Sequence, residues 1–161
     1  EWLETANKLL LNPHDSAVYF SPGRQCRDAI IGELERAAVS VDICVFTISD
    51  NRISEIITDC HRRNLDIRII TDNDKTEDRG SDIYSLSSKG ITVRLDNTPH
   101  HMHHKFAVFD KKRVLTGSYN WTRTAAECNH ENILLSDDKR LVTAYRNEFD
   151  TLWTQLKDYQ L

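Results

Sequence analysis

The sequence contains no apolar run close to the roughly 18–20 residues that a membrane-spanning helix requires, and no secretory signal peptide is visible in it. It also lacks an excess of positive charge, because 21 Lys and Arg residues are set against 25 Asp and Glu residues, giving a net charge of −4. Such a chain has no global field that attracts nucleic acid, so a polyanion must bind in a local groove. We therefore expect a soluble domain in which any polyanion binds to a groove with a local concentration of positive charge.

Paired cysteines are absent as well. The four cysteines, Cys26, Cys44, Cys60 and Cys128, are widely spaced and form no Cys-x-x-Cys pair. This pattern favours free thiols in a reducing compartment over a disulfide framework, and we expect an intracellular location. The sequence starts at Glu1 without a methionine, so a targeting or membrane segment ahead of it stays an open alternative.

Histidines cluster at residues 100–104, and Cys128 and His130 follow downstream. A zinc site is one interpretation, but the His-Glu-x-x-His and paired Cys-x-x-Cys spacings of such sites are missing. Lys105 also adjoins the cluster, and a cation is better placed beside a phosphate than beside zinc. We expect no metal and no other cofactor.

Hydrophobic periodicity predicts strands that alternate with helices. Strands are predicted over residues 17–20, 41–48, 66–71, 91–95 and 132–135, two more within 103–120, and helices over about 24–39, 53–60, 81–88 and from 137 onward. This alternation is typical of a layered α/β sheet. The 161 residues suffice for one core, so we predict a single domain over residues 1–161, in which residues 1–14 form an N-terminal helix and linker.

Six polar residues at fixed spacing dominate the second half of the chain: His103, Lys105, Asp110, Ser118, Asn120 and Glu131. Side chains two apart on a strand share a face, so His103 and Lys105 should point the same way. Ser118 and Asn120 have the same relation, and the polar turn at residues 110–113 should bring the two pairs together. An imidazole, an ammonium, a hydroxyl and an amide aimed at one point suit a phosphodiester, which needs a nucleophile, a cation and hydrogen-bond donors.

The spacing His-x-Lys-x4-Asp-x6-Gly-Ser-x-Asn resembles the signature of the phospholipase D superfamily. Similarity continues into residues 20–22, 41–46, 102–106 and 116–122, and covers about residues 17–155. These segments resemble the branch that carries one copy of the signature, which contains bacterial endonucleases and eukaryotic cardiolipin hydrolases. The resemblance implies an α/β/α sandwich with a mixed central sheet and a catalytic domain without a metal.

In this phosphodiesterase interpretation His103 attacks phosphorus and forms a phosphohistidine. The family motif implies that Lys105 and Asn120 hold the non-bridging oxygens, and Ser118 adds a hydrogen bond. Glu131 is expected to orient His103 by accepting a hydrogen bond from its second ring nitrogen. The role of Asp110 is expected to be positional support.

A second imidazole must protonate the leaving oxygen, yet the chain has one copy of the signature. The single-copy branch builds its site across a two-fold axis, so the resemblance implies a homodimer with the active site at the interface. Both lysines would then supply the positive charge that phosphoryl chemistry needs.

The expected substrate is nucleic acid, namely single-stranded DNA or RNA, with duplex DNA as a further candidate. The basic run 111–113 is expected near the site, and five residues are candidates for substrate binding: Lys75, Arg79, Tyr119, Trp121 and Arg123. The two aromatics are predicted either to stack on bases or to pack beneath the site. The alternative is a phospholipase acting on cardiolipin or a related lipid, for which the sequence offers no evident membrane-docking surface. A catalytically idle binding module is disfavoured by the complete signature.

Overall fold

The computed structural model of the protein describes residues 14–75 and 81–159, and within them eight strands and five α-helices. The strands are β1 (Ser16–Phe20), β2 (Ser40–Val45), β3 (Asp66–Asp72), β4 (Thr92–Asp96), β5 (Lys105–Phe109), β6 (Arg113–Gly117), β7 (Asn132–Ser136) and β8 (Lys157–Asp158). The helices are α1 (Gln25–Arg36), α2 (Asn51–Arg62), α3 (Ile83–Ser88), α4 (Arg123–Glu127) and α5 (Lys139–Gln155). The helix expected ahead of residue 14 lies outside the described residues. Helix α4 and strand β8 were not predicted from the sequence.

The eight strands form one sheet in the order β1-β7-β6-β5-β2-β3-β4-β8. The neighbours β2, β3 and β4 are parallel, and the other pairs are antiparallel. Parallel neighbours need a crossover connection, which α2 supplies between β2 and β3 and α3 supplies between β3 and β4. The mixed sheet that the resemblance implied is therefore confirmed.

Each face of the sheet has its own hydrophobic cluster. Buried side chains of α1, α2, α3 and α4 pack on one face, and Val142 and Phe149 of α5 pack on the other. Strand β2 lies between the two layers and is buried at all of its positions, which explains its mostly apolar sequence. Its one carboxylate, Asp42, is paired with Arg68 at 2.7 Å. The architecture is the predicted α/β/α sandwich. Among the described residues, no helix combines the length and the apolar composition needed to cross a bilayer.

A tight turn joins β5 to β6 at the end of the sheet away from Lys105. Asp110 and Lys111 both have positive φ angles, 51° and 57°, as the two central residues of a type I′ hairpin turn require. The Asp110 carboxylate accepts hydrogen bonds from the backbone N–H groups of Ala38, Val39 and Ser40 at 2.8–3.2 Å. Asp110 thereby fastens the hairpin to the connection between α1 and β2.

Candidate active site

His103 and Lys105 meet at the start of β5. Lys105 is the first residue of the strand, whereas His103 lies in the preceding loop rather than on the strand as predicted. The Lys105 ammonium nevertheless lies 3.1 Å from Nδ1 of His103 and donates a hydrogen bond to the His103 carbonyl oxygen at 2.6 Å. The two side chains therefore meet as predicted, but the course of the loop backbone brings them together. They do not share one face of a strand, although the sequence suggested this.

The electrostatics of this pair favour a neutral imidazole. Partial burial and the nearby Lys105 ammonium lower the pKa of His103 below its ordinary value, and His101 and His104 act in the same direction. The negative charge of Asp72 opposes them. Burial also lowers the pKa of Lys105, against an opposing effect of Glu131. A neutral imidazole has the free lone pair that a nucleophile needs.

Phe46, which directly follows β2, forms the platform beneath His103. Its ring centroid lies 4.7 Å from that of His103, and the Lys105 ammonium lies 5.3 Å from the same centroid. The Phe46 backbone N–H donates to the carbonyl of His104 at 3.0 Å, which ties the loop to the end of β2. This role of Phe46 was not predicted from the sequence, although Phe46 ends one of the segments that resembled the superfamily.

Asp72 anchors the same loop from the end of β3. Its fully buried carboxylate accepts hydrogen bonds from the backbone N–H groups of Met102, at 2.8 Å, and Asp74, at 3.0 Å. Nδ1 of His101 lies 3.5 Å from this carboxylate and 3.6 Å from that of Asp74. Two residues that follow β3, Lys75 and Arg79, were candidates for substrate binding in the sequence, but Asp72 was not singled out.

Asp72, Asp74 and His101 are also a group that could hold a metal ion, because their ligand atoms all lie within 4.8 Å of one another. This group differs from the zinc set considered in the sequence, since it includes neither Cys128 nor His130. Both oxygens of Asp72 already accept backbone hydrogen bonds.

His104 faces the opposite side of the sheet, with Nε2 at 3.5 Å from the carboxylate of Glu148 in α5.

Ser118 and Glu131 form a second polar pair, at the end of β6 and just before β7. The Ser118 hydroxyl donates a short hydrogen bond to Glu131, and it accepts one from the N–H of Asn132 at 3.1 Å. The other Glu131 oxygen accepts from the side chain of Asn129 at 3.2 Å. Within the chain Glu131 therefore does not accept the expected hydrogen bond from His103. Strand β6 lies between β7 and β5 in the sheet, and the Glu131 carboxylate is bonded to Ser118 and Asn129 instead.

Gly117 allows β6 and β7 to approach closely at this point. A Cβ atom at residue 117 would lie 2.0 Å from the carbonyl oxygen of Asn132, which no side chain can tolerate. The glycine of the signature is thus required by the backbone contact that positions Ser118.

Asn120 lies between two buried aromatics. Tyr119 and Trp121 are 1% and 0% exposed, so the expectation that they stack on bases is wrong, and the alternative that they pack beneath the site is correct. The backbone of Trp121 bonds to Thr47, Ser49 and Asp50, which docks this segment on the connection between β2 and α2. Asn120 is half-buried, and its side-chain oxygen has no hydrogen-bond partner among the described residues.

The remaining candidates for substrate binding have separate outcomes. Arg123 is the exposed first residue of α4, three positions after Asn120, and stays a prediction. The Lys75 side chain and Arg79 lie outside the described residues. The basic run 111–113 lies at the β5–β6 turn, so its expected position near the site is wrong. Asp110 lies in the same turn and is not brought together with the other signature residues.

Comparisons with known proteins agree with this geometry. A family profile described as "Cardiolipin synthase, PLD-like domain" matches residues 30–153. The mitochondrial cardiolipin hydrolase of Chlamydomonas reinhardtii is 44% identical over 124 residues, which are 77% of this chain and 56% of the relative. That of Xenopus laevis is 42% identical over 145 residues, 84% of this chain and 69% of the relative. The chain thus spans about half to two thirds of the length of these relatives.

A solved structure shares the fold. The phospholipase D family member Nuc from Salmonella typhimurium superposes with a TM-score of 0.84 at 25% sequence identity. The match covers 92% of this chain and 99% of Nuc. The described layers and strand order therefore correspond to the whole of that protein.

Proposed function

Because the chain belongs to the phospholipase D superfamily, in the branch with one copy of the signature, we propose that it is a metal-independent phosphodiesterase that cleaves nucleic acid internally. The observation that carries the proposal is the 3.1 Å contact between the Lys105 ammonium and the imidazole of His103. It places a cation for the phosphate oxygens directly beside a nucleophile whose pKa is lowered. The side-chain amide of Asn120 is the expected further donor, whereas the Ser118 hydroxyl already donates its hydrogen to Glu131.

The proposed reaction has two displacements. A ring nitrogen of His103 attacks phosphorus, and the bond between phosphorus and the leaving oxygen breaks as that oxygen takes a proton from a second imidazolium. Water then attacks phosphorus, gives its proton to the second imidazole and releases His103 from the phosphohistidine. The Lys105 ammonium stabilises the negative charge on the non-bridging oxygens in both steps.

The second imidazole is assigned to His103 of a second copy of the chain. One copy provides one such histidine, and His101 and His104 are engaged by carboxylates of Asp72, Asp74 and Glu148 at 3.5–3.6 Å. A two-fold axis through the phosphate would bring two equivalent histidines and two lysines together. The proposed active enzyme is therefore a homodimer.

Nucleic acid is favoured as substrate by the exposed guanidinium of Arg123 beside the site and by the resemblance of the signature to the branch that contains bacterial endonucleases. A phospholipase is the second candidate, because an apolar pair not recognised in the sequence is exposed near the site. Val18 and Phe20 of the edge strand β1 are 54% and 62% exposed, and Phe20 directly precedes Ser21, which bonds to Glu131. The names of the relatives also point to a lipid substrate for those proteins.

A parallel assay distinguishes the two substrates. The purified protein is incubated with labelled single-stranded DNA, RNA, duplex DNA and vesicles that contain cardiolipin. We expect internal cleavage of oligonucleotides, and its loss in His103→Ala and His103→Asn variants with unchanged melting temperature. Release of phosphatidic acid from the vesicles, with intact oligonucleotides, would replace the endonuclease by the phospholipase. Full activity of either His103 variant would overturn the nucleophile assignment.

A further inference from the structure

A second concentration of positive charge lies away from the candidate active site, around a cavity of about 560 Å³ between the β5–β6 turn and the first turns of α5. We call it the hairpin pocket and define it by four of its lining residues: Lys111, Lys112, Lys139 and Arg146. The three lysines are exposed and Arg146 is half-buried.

The four cations are not neutralised within the fold. None of them forms an ion pair with a carboxylate of the described residues, although Lys112 lies close enough to Asp110 to lower its pKa. The Asp110 carboxylate is in turn occupied by three backbone N–H groups. Arg113 also lines the cavity, but its guanidinium is held by Asp15 and Glu33 at 2.9 Å each.

One carboxylate faces the cavity, and it is already engaged. Asp137 accepts a hydrogen bond from the backbone N–H of Asp15 at 2.9 Å and lies 3.6 Å from the imidazole of His14. Four unpaired like charges around one cavity repel one another, and this repulsion is relieved when an anion enters. In a chain with a net charge of −4, this concentration is therefore suited to a ligand rather than to folding.

The position of the pocket determines which anion can reach it. Lys105 and Phe109 are the two ends of β5, so four steps of roughly 3.4 Å place the turn about 14 Å or more from the active-site ammonium. One phosphate cannot touch both. In a duplex strand, with about 3.4 Å of rise per nucleotide, the same span is about four nucleotides.

We propose that the hairpin pocket binds backbone phosphates of the nucleic-acid substrate, several nucleotides away from the bond that is cleaved. The inference rests on the proposed function and adds a substrate-length requirement to it. The concave shape suits phosphates on a flexible chain, since its one large apolar lining residue, Val142, is 4% exposed and cannot insert into a bilayer. The pocket then supplies the local attraction that the net charge of the chain does not.

The test compares two variants with the same change of charge. The pocket variant carries Lys111→Gln, Lys112→Gln and Lys139→Gln, and the control variant carries Arg62→Gln, Lys89→Gln and Lys157→Gln, which are exposed residues at other places on the fold. Cleavage of a 30-nucleotide single strand and of a trinucleotide is measured over a range of salt concentrations, together with hydrolysis of bis(4-nitrophenyl) phosphate. Binding of the labelled 30-nucleotide strand is measured separately in a His103→Ala background.

For the pocket variant we expect about tenfold weaker binding and a correspondingly higher KM for the long strand. The slope of its plot of log affinity against log salt concentration should be smaller in magnitude by about 2. Three phosphate contacts are removed, and each contributes roughly 0.7 to the slope for a single strand. The trinucleotide and bis(4-nitrophenyl) phosphate should be hydrolysed as by the wild type. The control variant should match the wild type on the long strand apart from a small general effect of charge.

Equal behaviour of the two variants on the long strand overturns the hairpin pocket while leaving the endonuclease intact. An equal loss on long and short substrates also overturns it, because the pocket would then act on the reaction itself. If the wild type hydrolyses bis(4-nitrophenyl) phosphate but neither binds nor cleaves oligonucleotides, the proposed function fails and the pocket proposal fails with it. Unchanged oligonucleotide binding with weaker binding to vesicles of anionic lipid would assign the pocket to a membrane surface instead.

Discussion

The buried carboxylate of Asp72 accepts a hydrogen bond of 2.8 Å from the backbone N–H of Met102, the residue directly before His103. The same carboxylate lies 3.5 Å from the imidazole of His101. Asp72 thus contacts two consecutive residues directly before the proposed nucleophile, His101 and Met102. It acts through these two residues and not on the substrate, so we regard it as a positioning residue.

Replacing Asp72 by Asn should lower kcat about 10–100-fold, because a small displacement of a nucleophile is costly. An amide can still accept from Met102, but its NH2 group would then face the N–H of Asp74, and the charge near His101 is lost. Removal of this negative charge should also lower the pKa of His103, which Asp72 raises against Lys105, His101 and His104. An NMR titration of the His103 imidazole measures that shift independently of activity. The control is Asp74→Asn, which removes a nearby charge but no bond to Met102; equal effects of both variants would contradict the positioning role.

Replacing Asp110 by Ala should lower the free energy of unfolding by about 2–4 kcal/mol, because three backbone N–H groups lose a charged acceptor. Burial raises the pKa of the Asp110 carboxyl, but the hydrogen bonds from Ser40, Val39 and Ala38 outweigh this effect and the net pKa is lowered. The stability due to this carboxylate is therefore complete above the unfolded-state pKa of about 3.9 and is lost as the pH falls through the lower folded-state value. Urea unfolding of both proteins at pH 7 and near pH 3 should show a large difference at the first pH and a smaller one at the second. A constant difference across this range would contradict the assignment.

Two glycine-to-alanine substitutions should have opposite effects on stability. Gly117→Ala should destabilise the protein by about 3 kcal/mol or more, because its Cβ would lie 2.0 Å from the Asn132 carbonyl oxygen. Gly32→Ala should stabilise it by about 1 kcal/mol, because residue 32 lies inside α1 with its nearest neighbouring atom at 3.9 Å. Thermal unfolding of the two variants measures the direction of each change in stability. An unchanged melting temperature for Gly117→Ala would show that β6 and β7 can move apart without a loss of stability.

Cleavage should continue in excess EDTA, because the ammonium of Lys105 and that of its symmetry mate supply the positive charge that a metal provides in other phosphodiesterases. The assay compares initial rates before and after chelation, followed by addition of single divalent ions. Loss of activity that one ion restores would assign the chemistry to the group of Asp72, Asp74 and His101. Asp74→Asn should leave the chelated rate unchanged if the prediction holds.

Mixed dimers should be inactive if both His103 imidazoles act on one phosphate. When wild-type subunits are exchanged with a threefold excess of His103→Ala subunits, pure wild-type dimers fall to about 6% of the total. Activity should follow this fraction rather than the 25% or so of wild-type chains present. Subunit exchange is verified with two fluorescent labels, and activity proportional to the wild-type chains would show that each chain works alone.

The sequence by itself was sufficient for the order of the elements apart from α4 and β8, and for a specific hypothesis about the reacting groups. Apolar periodicity is a local property, so β2, β3 and the one helix between them, α2, were predicted within about three residues of their observed bounds. The spacing from His103 to Asn120 was specific enough to indicate the chemistry before any fold was known. The glycine at residue 117 belonged to that spacing, and the structure supplies its reason in the approach of Asn132.

Tertiary structure alone decided what holds these groups and what surrounds them. Phe46 contacts His103 from the end of β2, and Asp72 contacts the same loop from the end of β3. Contacts between residues so distant in sequence leave no periodic signal. The charge at residues 111–113 lies far from the site because a hairpin turn is at the opposite end from the strand termini that carry Lys105 and Ser118. Whether Trp121 would face a substrate or the core depended on its contacts with residues 47–50, which are distant in sequence and leave no local signal.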